Sequence, residues 1–375
     1  MRTKMKLLTR TLTLLAAMLM LIPANAAKKG KKNAPAIYPT KEAGWSVAAP
    51  EKYGFDSEKL KDVEKFIINK TNATGVEVIV GGEEIFRYGA VDRLSYIASC
   101  RKSILAMLYG KYVENGTINL KETIEDLGID DLQGLLPIEK KATVYDLITA
   151  RSGVYHPASN GGDDTEHKPT RGTKKPGNFF LYNNWDFNVA GTVFEMKTGK
   201  NIYDALGEDI AIPIGMQDWN REAQRKGGNS KISMHPAYHF YFSTRDMARL
   251  GYLMLRHGKW GDEQVISEDW VKKMVTPVSS AKEVSHGKED GRYSYGYMWW
   301  LYDPGCSQFT WEYEGAYGAH GAMGQYIKVF PALDMVIAIK TDSVYGRRTS
   351  GSSQDKLIDM IIRCYDKKIL KKNKK

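Results

Sequence analysis

Serine and lysine occur at Ser-x-x-Lys spacing in four places, and each pair could supply a nucleophile with a neighbouring amine. The four pairs are Ser99/Lys102, Ser279/Lys282, Ser285/Lys288 and Ser353/Lys356. At the start of a helix, this spacing places the amine one turn beyond the serine, on the same face and within reach of its oxygen. The motif alone is weak, so the surrounding sequence has to distinguish the four pairs.

The sequence around Ser99 favours that pair as the reactive one. Apolar residues recur at helical spacing through 104–112 and Gly116 follows as a C-terminal cap, which predicts a helix that starts near Ser99. Two other pairs lie in the polar segment 277–292, which has no helical periodicity, and the fourth opens the terminal helix.

A serine at a helix start is also a common N-cap, and this structural alternative applies to Ser99 and Ser353 alike. At Ser99, however, the first turn carries Arg101 and Lys102 at the positive end of the helix, where acidic residues are favoured. The mismatch indicates that something other than helix stability selects these two residues. For Ser353 the N-cap interpretation is preferred.

Proton transfer from Ser99 requires a base, and Lys102 and Tyr182 are the candidates. A lysine that is partly desolvated near a helix N-terminus has a lowered pKa, which is the state that a general base needs. Tyr182 begins the one Tyr-x-Asn sequence among the 22 tyrosines, directly after a long loop. The alternatives are that Tyr182 is a packed aromatic residue and that Asn184 is the N-cap of the following helix.

Small residues at 318–325 lead into a strand near the C-terminus and form a third candidate element. The sequence there is Gly-Ala-His-Gly-Ala-Met-Gly-Gln, with the histidine at position 320. Small residues at a strand edge let a substrate backbone approach and leave N–H groups available for an oxyanion. On its own, the segment could equally be a glycine-rich turn.

Strands at both ends of the chain and helices between them must position these residues. Alternating apolar and polar residues predict a hairpin over 75–88 and two further strands over 325–329 and 335–341. The remaining predicted elements are helices over 99–116, 144–150, 184–200, 244–257 and 357–369, and a polar loop over 156–178. We therefore predict an α+β protein in which the two termini make one sheet and a mainly helical lobe is inserted.

The three candidate elements, in this order, resemble the serine beta-lactamase and penicillin-binding protein family, whose signature includes Ser-x-x-Lys. The closer resemblance is to the class C branch, with its esterases, D-amino-acid peptidases and aminohexanoate-dimer hydrolases. The similar segments lie at 94–105, 144–153, 176–191 and 249–260. The resemblance implies the beta-lactamase/DD-peptidase-like fold, an antiparallel sheet flanked by helices beside the inserted helical lobe.

The resemblance also implies roles for the candidate catalytic residues. Ser99 is the nucleophile of an acyl transfer, and Lys102 and Tyr182 manage its proton. Asn184 helps to orient the substrate and tunes this pair. Such a mechanism needs neither a metal nor an organic cofactor, so none is expected.

In the third motif, this sequence departs from the pattern of the class C branch. The branch usually shows Lys-Thr-Gly or His-x-Gly, whereas here His320-Gly321 is followed by Ala322. The resemblance implies that His320 is the basic member of the motif and helps to orient the substrate. The oxyanion would be held by the N–H of Ser99 and by that of Ala322 or Met323, with the register open by one residue.

A small-molecule ester or amide is the substrate that the resemblance implies, because the sequence before Tyr182 is most similar to aminohexanoate-hydrolase-like members. Two alternatives remain within the family: a penicillin-binding peptidase that acts on D-Ala ends of cell-wall peptides, and a beta-lactamase. A fold with so many activities does not determine the substrate. An alternative of another class is a non-catalytic protein that kept the pocket to bind the cell wall or another ligand.

The N-terminus has the order of a secretory signal peptide, with basic residues, an apolar run over 12–22 and a small-residue site over 24–26. The apolar run is about half the length that spans a bilayer, so no transmembrane anchor is expected. We predict a signal peptide over 1–26, a basic linker over 27–50, a hydrolase domain over 51–367 and a basic tail over 368–375. This organisation predicts a periplasmic or secreted protein.

The charge distribution argues against nucleic acid as a partner. The formal net charge is +10, and four basic residues without an acidic one lie in the predicted signal peptide. The other visible basic clusters lie at 28–32 and 367–375 and contain no aromatic residues, which is typical of solvated tails.

Cysteine and histidine patterns predict no metal site. Cys100, Cys306 and Cys364 are widely spaced, match neither a disulfide framework nor a zinc site, and allow at most one bridge. The seven histidines contain no His-Glu-x-x-His sequence.

Overall fold

Two distant parts of the chain build one central sheet in the computed structural model, which describes residues 36–372. The predicted signal peptide therefore lies outside the described residues. The strands within 36–372 are β1 (Ser46–Val47), β2 (Gly75–Val80), β3 (Glu83–Gly89), β4 (Ser95–Tyr96), β5 (Arg225–Gly227), β6 (Ala237–His239), β7 (Tyr241–Phe242), β8 (Lys259–Trp260), β9 (Glu263–Gln264), β10 (Tyr293–Tyr295), β11 (Trp300–Tyr302), β12 (Tyr317–Gly321), β13 (Gln325–Phe330) and β14 (Met335–Lys340).

Most of the helices lie between β4 and β10 in sequence, and the others lie at both ends of the described chain. Those within 36–372 are α1 (Ser57–Lys70), α2 (Cys100–Glu114), α3 (Val144–Ile148), α4 (Asn184–Thr198), α5 (Ile202–Leu206), α6 (Thr244–Leu255), α7 (Glu268–Met274), α8 (Ala281–Val284), α9 (Gly351–Ile362) and α10 (Lys367–Lys372). None of these helices combines the length and the apolar character needed to cross a bilayer.

The main sheet has the strand order β1-β3-β2-β14-β13-β12-β11-β10. The last strand in sequence, β14, lies between the N-terminal hairpin and β13, with Val336 opposite Ile79. The predicted α+β fold, with a sheet made from both termini and an inserted helical lobe, is confirmed. One detail was wrong: the sheet is mixed rather than antiparallel, because β1 pairs with β3 in parallel.

Alternating side chains of the central strands feed two separate cores. On β14, Val336 and Ala338 belong to the core that contains α2 and α6, whereas Ile337 and Ile339 belong to the core that contains α1 and α9. Both faces of the sheet are therefore covered, and full burial of each valine or isoleucine side chain stabilises the fold by about 1.5–3 kcal/mol. This covering explains why β14 is buried at all six positions.

The helical lobe supplies the elements that surround the candidate site. The predicted helix over 99–116 forms as α2, and the predicted helix over 184–200 forms as α4, whose Trp185 and Phe187 are fully buried. Between α3 and α4, residues 151–183 form neither helix nor strand, as predicted for the polar loop.

The C-terminal helix predicted over 357–369 is wrong at its start and in its continuity. The helix α9 begins earlier, at Gly351, where Ser350 is the N-cap and accepts a hydrogen bond from the backbone N–H of Ser353. Ser353 is therefore not the N-cap that the sequence suggested. The helix then ends at Ile362, because Tyr365 pairs with Phe55 in an antiparallel bridge before α10 begins.

Part of the segment predicted as a basic linker is attached to the folded domain. Trp45 is buried and packs edge-on against Tyr252 of α6, and the Tyr252 hydroxyl donates a hydrogen bond to the backbone carbonyl of Ile37. The described residues before β1 thus contribute to the core that contains α2 and α6.

The three cysteines are all free and buried in the described chain. The Cys100 thiol donates a hydrogen bond to the backbone carbonyl of Gln325, and burial raises the pKa of both Cys100 and Cys364 to about 12. These two thiols are therefore protonated and unreactive at neutral pH.

Replacement of Gly251 by alanine should destabilise the packing of α6 on the sheet. A Cβ atom at this position would lie 2.6 Å from Val336 Cγ1 and 2.9 Å from Ile327 Cγ2. Overpacking of a core typically costs about 1–3 kcal/mol, which exceeds the gain in helix propensity from glycine to alanine. We expect Gly251→Ala to lower the free energy of unfolding, measured by urea titration, by roughly 1 kcal/mol or more.

The matched control is Gly351→Ala at the start of α9, where the nearest atom to a new Cβ, the Tyr326 hydroxyl, is 3.9 Å away. This variant should change the free energy of unfolding by less than about 0.5 kcal/mol. Equal stability of both variants would contradict the close packing described for α6.

Candidate active site

Ser99 lies at the N-terminus of α2 with its hydroxyl free of capping. Its side chain accepts no hydrogen bond from a backbone N–H of the first turn of α2, so the N-cap alternative is not realised. The preceding residue, Ala98, has φ 48°, a left-handed conformation that is uncommon for residues other than glycine. Strained backbone of this kind tends to occur at functional sites. Ser99 itself is partly exposed, so its oxygen can be reached from the cavity.

Lys102 joins Ser99 to Tyr182. Its Nζ lies 2.9 Å from Ser99 Oγ and 2.7 Å from the Tyr182 hydroxyl. Only 1% of Lys102 is exposed, and burial holds the pKa of the amine well below its ordinary value of 10.5; the nearby charge of Arg101 lowers it further. The negative charge of Asp163 opposes this shift. The net effect is a buried amine that is prepared to accept a proton.

Tyr182 combines a packed ring with a hydroxyl in the site. The ring lies 5.1 Å from that of Phe187 and 5.3 Å from that of Trp300, so the packed-aromatic alternative describes its ring correctly. Burial raises the pKa of Tyr182 above its ordinary value, and a hydrogen bond with Ser99 partly opposes the shift. The phenol therefore keeps its proton at neutral pH.

Asn184 supports the wall of the cavity rather than lining it. Its side chain donates a hydrogen bond to the carbonyl of Gly161 at 3.0 Å, and its backbone N–H donates to Asp163 Oδ1 at 2.6 Å. The N-cap of α4 is the preceding residue, Asn183, which accepts a hydrogen bond from the N–H of Trp185. The capping alternative for Asn184 is therefore wrong by one residue.

The third predicted element lies against Ser99 at the end of β12. Gly321 passes so close to the segment before Ser99 that an added Cβ would lie 2.5 Å from the carbonyl oxygen of Ile97. The small residue is required there, because any side chain would push β12 away from the start of α2. The turn after β12 contains Met323 at φ 65°.

A cavity of about 450 Å³ brings most of the predicted residues together. Its lining includes Ser99, Tyr182, His320, Gly321, Ala322 and Met323, and also Tyr96, Ala98, Arg101, Asn160, Gly161, Gly162, Trp300 and Tyr326. Lys102 and Asn184 lie behind this surface, in contact with Ser99 and with the loop at Gly161, respectively.

His320 lies next to the amine of Lys328, and the pKa values of both groups are lowered. The ring stacks on Trp300 with centroids 5.2 Å apart, and Nε2 contacts the amine of Lys328 on β13. Burial holds the pKa of His320 well below 6.5, and the charge of Lys328 lowers it further. Burial also lowers the pKa of Lys328, to about 7. His320 thus contributes a hydrogen-bonding ring to the cavity, and Lys328 is the amine next to it.

Two residues near the site, Lys328 and Arg101, were assigned no role there by the sequence analysis, although the unusual position of Arg101 was noted. Lys328 interrupts the apolar sequence of β13, which was an available signal. Arg101 lines the cavity although only 1% of it is exposed. Its Nη2 donates to Asn188 Oδ1 at 2.8 Å and its guanidinium lies 4.3 Å from the ring centre of Tyr238, whereas Nη1 has no hydrogen-bond partner among residues 36–372.

The other Ser-x-x-Lys pairs do not form such a site. The Ser279 hydroxyl accepts a hydrogen bond from Arg151, and the amine of Lys282 pairs with Glu289. Ser285 donates to the backbone carbonyl of Lys288.

The side chains that could bind a metal lie outside the Ser99 cavity. Within the described chain, the group of side chains able to hold a metal ion is Asp164, His167 and His286, none of which lines the Ser99 cavity.

Comparison with known proteins agrees with this geometry. Residues 68–357, more than half of the chain, match the family described as Beta-lactamase. The chain belongs to the beta-lactamase family. Members of the beta-lactamase family are serine hydrolases, so this chain belongs to the serine hydrolase superfamily.

Three solved structures share the beta-lactamase fold with this chain. A Bacillus anthracis protein provisionally named 6-aminohexanoate-dimer hydrolase is 18% identical, with a TM-score of 0.64, over 87% of this chain and 89% of that one. A class C beta-lactamase is 15% identical, with a TM-score of 0.61, over 83% and 96%. A family VIII carboxylesterase is 15% identical, with a TM-score of 0.60, over 85% and 99%. At these identities, the likeness establishes the fold and not the substrate.

Lys102→Met should change how stability depends on pH. In the unfolded chain, this lysine keeps its proton up to about pH 10.4, whereas burial lowers its pKa in the folded protein. Between the two pKa values the unfolded state binds one more proton, so this group makes the free energy of unfolding rise with pH. In urea titrations between pH 7 and 9, wild type should gain up to about 1.4 kcal/mol per pH unit relative to Lys102→Met.

A matched control is Lys121→Met, at an exposed lysine, which should follow the wild-type pH dependence. Parallel curves for wild type and Lys102→Met would mean that Lys102 is charged in the folded protein.

Proposed function

We propose that this chain is an exported serine hydrolase that cleaves an ester or a small amide bond through an acyl-enzyme on Ser99. The observation that carries the proposal is the contact of the Lys102 amine with both the Ser99 and the Tyr182 oxygens. Membership of the beta-lactamase family supports the same reaction class.

The lowered pKa of Lys102 and the raised pKa of Tyr182 support different roles for the two groups in proton transfer. Because the amine is neutral and the phenol is protonated, Lys102 is the group that can accept the Ser99 proton at the start of the reaction. The Tyr182 hydroxyl, 2.7 Å from the amine, can then pass a proton to the leaving group and be reprotonated by Lys102.

Acyl transfer then follows in two steps, the formation of the acyl-enzyme and its hydrolysis. Ser99 Oγ bonds to the substrate carbonyl carbon as its proton moves to Lys102, and the oxyanion is held by the N–H of Ser99 and that of Ala322 or Met323. Collapse of this tetrahedral intermediate breaks the bond to the leaving group, which takes, by way of Tyr182, the proton that Lys102 had accepted. Water then attacks the acyl carbon and gives its proton to the same pair, which returns the proton to Ser99 Oγ as the bond to the acyl group breaks and the acid product leaves.

Esters and small amides are the proposed substrates because of the structural relatives. One of them is a carboxylesterase and another carries the name of an aminohexanoate-dimer hydrolase, and both share the fold over more than four fifths of this chain. Aromatic residues of the cavity, including Tyr96, Trp300 and Tyr326, offer apolar surface for an acyl chain.

Arg101 supports a second candidate, a penicillin-binding D-Ala peptidase or a beta-lactamase. The D-Ala ends of cell-wall peptides and the beta-lactams both carry a carboxylate. Arg101 lines the cavity with a buried Nη1 that has no partner within the described chain, and a carboxylate would supply one. Parallel assays of a neutral nitrophenyl ester, a D-Ala-terminated peptide and a penicillin distinguish the two candidates.

A non-catalytic binding protein is the alternative of another class. Such a protein would need a pocket, but it would not need a buried neutral amine in contact with a serine and a tyrosine. The cost of burying Lys102 without a carboxylate partner therefore favours catalysis over binding alone.

A fluorophosphonate probe should form a covalent adduct on Ser99. Intact-mass spectrometry is expected to show one adduct on wild type and none on Ser99→Ala, because the hydroxyl is the attacking group. Ser353→Ala, the control at another Ser-x-x-Lys pair, should still be labelled. Labelling that persists in Ser99→Ala would refute the assignment, and an unlabelled wild type would favour the binding protein.

Lys102 and Tyr182 should act as one unit in catalysis. We expect Lys102→Ala, Tyr182→Phe and the double variant each to lower kcat for a nitrophenyl ester by about a hundredfold or more, with a far smaller change in KM. Residues of one proton relay are non-additive, so the double variant should be little worse than either single one.

Tyr295→Phe is the matched control, because it removes a buried hydroxyl that has no hydrogen-bond partner in the described part of the chain. This variant should retain kcat close to that of wild type. A Tyr182→Phe enzyme with near wild-type kcat would show that the hydroxyl is dispensable and that Lys102 or His320 acts alone.

Export is proposed from the order of the N-terminal segments. The mature chain, recovered from the bacterial envelope, should begin at Ala27, because signal peptidase cleaves after small residues that follow a short apolar run. N-terminal sequencing tests this. A membrane-bound chain that still begins at Met1 would be the contrary result.

A further inference from the structure

Two histidines and one aspartate meet next to the Ser99 cavity but do not line it. The carboxylate of Asp164 lies 3.0 Å from His167 Nδ1 and 2.9 Å from His286 Nε2, and the three ligand atoms lie within 4.8 Å of one another. The two imidazole rings are stacked, with centroids 4.0 Å apart and planes at 15°. Two nitrogens therefore face the same carboxylate from one side.

The arrangement joins segments that are far apart in sequence. Asp164 and His167 belong to the loop before α4, whereas His286 follows α8, 122 residues after Asp164. His286 has φ 52°, a conformation that is uncommon for residues other than glycine, and its ring also stacks on Phe179 at 5.5 Å. Strained backbone tends to occur at functional sites. The strain at His286 therefore favours a functional reason for placing its imidazole against the Asp164 carboxylate.

The cluster is accessible to an ion from solvent. A cavity of about 340 Å³ is lined by both histidines, and the side chains of His167 and Asp164 are 33% and 24% exposed. The neighbouring charges at this cavity are Lys282, which pairs with Glu289, and Glu283, which pairs with Arg151. The Asp164 carboxylate and the two imidazoles thus form no ion pairs with these neighbouring charged residues.

We propose that Asp164, His167 and His286 form a binding site for one Zn²⁺ ion. Two imidazole nitrogens and one carboxylate oxygen are a ligand set that zinc commonly takes, with water in the fourth position. Binding replaces the hydrogen bonds between the imidazoles and Asp164 by bonds to the metal, and each neutral imidazole then carries its N–H proton on the ring nitrogen that does not bind the metal. No electron transfer is involved. The sequence analysis expected no metal, because the three ligands share no short sequence motif.

The site is connected to the Ser99 cavity through its own loop. The backbone N–H of Asp164 donates to the carbonyl of Tyr182 at 3.0 Å, and the preceding Gly161 and Gly162 line the cavity. An ion that ties this loop to His286 would therefore hold one wall of the cavity in place. This role is independent of the proposed hydrolase reaction, which needs no metal.

Zinc titration of the untagged chain after EDTA treatment and dialysis tests the site. Isothermal calorimetry should give one Zn²⁺ per wild-type chain, and His286→Asn, His167→Asn and Asp164→Asn should each weaken binding at least tenfold. Ser99→Ala should bind zinc as wild type does, so a failure of the proposed hydrolase function would not be confused with a failure of this site.

The matched control is His257→Asn. His257 is also a non-glycine residue with positive φ, at 55°, and it is exposed and distant in sequence from the cluster. Asparagine tolerates this backbone conformation, so both Asn variants should fold. Saturating zinc should raise the melting temperature of wild type and His257→Asn by about 2 °C or more, and leave His286→Asn unchanged.

Cobalt supplies a spectroscopic readout. Co²⁺ in the same site should give visible d–d absorption in wild type and in His257→Asn, and not in His286→Asn. Sub-stoichiometric zinc binding in wild type, or equal affinity in wild type and His286→Asn, would overturn the proposal. In that case the cluster is a hydrogen-bonded contact between two loops.

Discussion

Burial of an amine without a carboxylate partner is the constraint on which the rest of the site depends. Lys102 is almost completely enclosed, and its Nζ contacts two hydroxyl oxygens. An ammonium ion in such surroundings is unfavourable, so burial converts this lysine into a neutral base. The fold must therefore enclose Lys102 while it leaves the neighbouring Ser99 open to the cavity.

The helical lobe supplies the contacts of Lys102, and the sheet approaches the neighbouring Ser99. The start of α2 presents Ser99 and Lys102 together, and the loop before α4 provides Tyr182, so two segments of the lobe contact one amine. On the sheet side, β12 can approach the segment before Ser99 closely because Gly321 has no side chain. The positive φ of Ala98 is the local strain that accompanies this close approach.

Short-range patterns were sufficient to find the catalytic candidates and most elements. Ser99 and Lys102 share one helix face, and Tyr182 begins the one Tyr-x-Asn sequence of the chain. Each of these two signals spans only a few residues. The hairpin of β2 and β3 and the strands β13 and β14 also follow from alternation and turn residues. The parallel pairing of β1 carries no such signal, because it depends on a two-residue strand that meets a distant partner.

Other features arise from contacts between distant segments, which no local pattern records. The pairing of His320 with Lys328 requires the antiparallel register of β12 and β13, in which Gly318 lies opposite Lys328. The break between α9 and α10 results from pairing with the chain around Phe55. The cluster of Asp164 and His286 likewise exists only after two loops meet.

Direct titration of Lys102 by NMR tests the central claim most closely. With ¹³C-labelled lysine, the Cε resonance that is missing from Lys102→Met identifies this residue, and Lys328→Met identifies the other buried lysine at the site, whose pKa is lowered to about 7. We expect the Lys102 resonance to titrate well below 10.5, so that the amine is neutral at the pH where Ser99 attacks the probe. A Lys102 resonance whose titration shows that the amine keeps its proton up to pH 10.5 or beyond would contradict the account of this site.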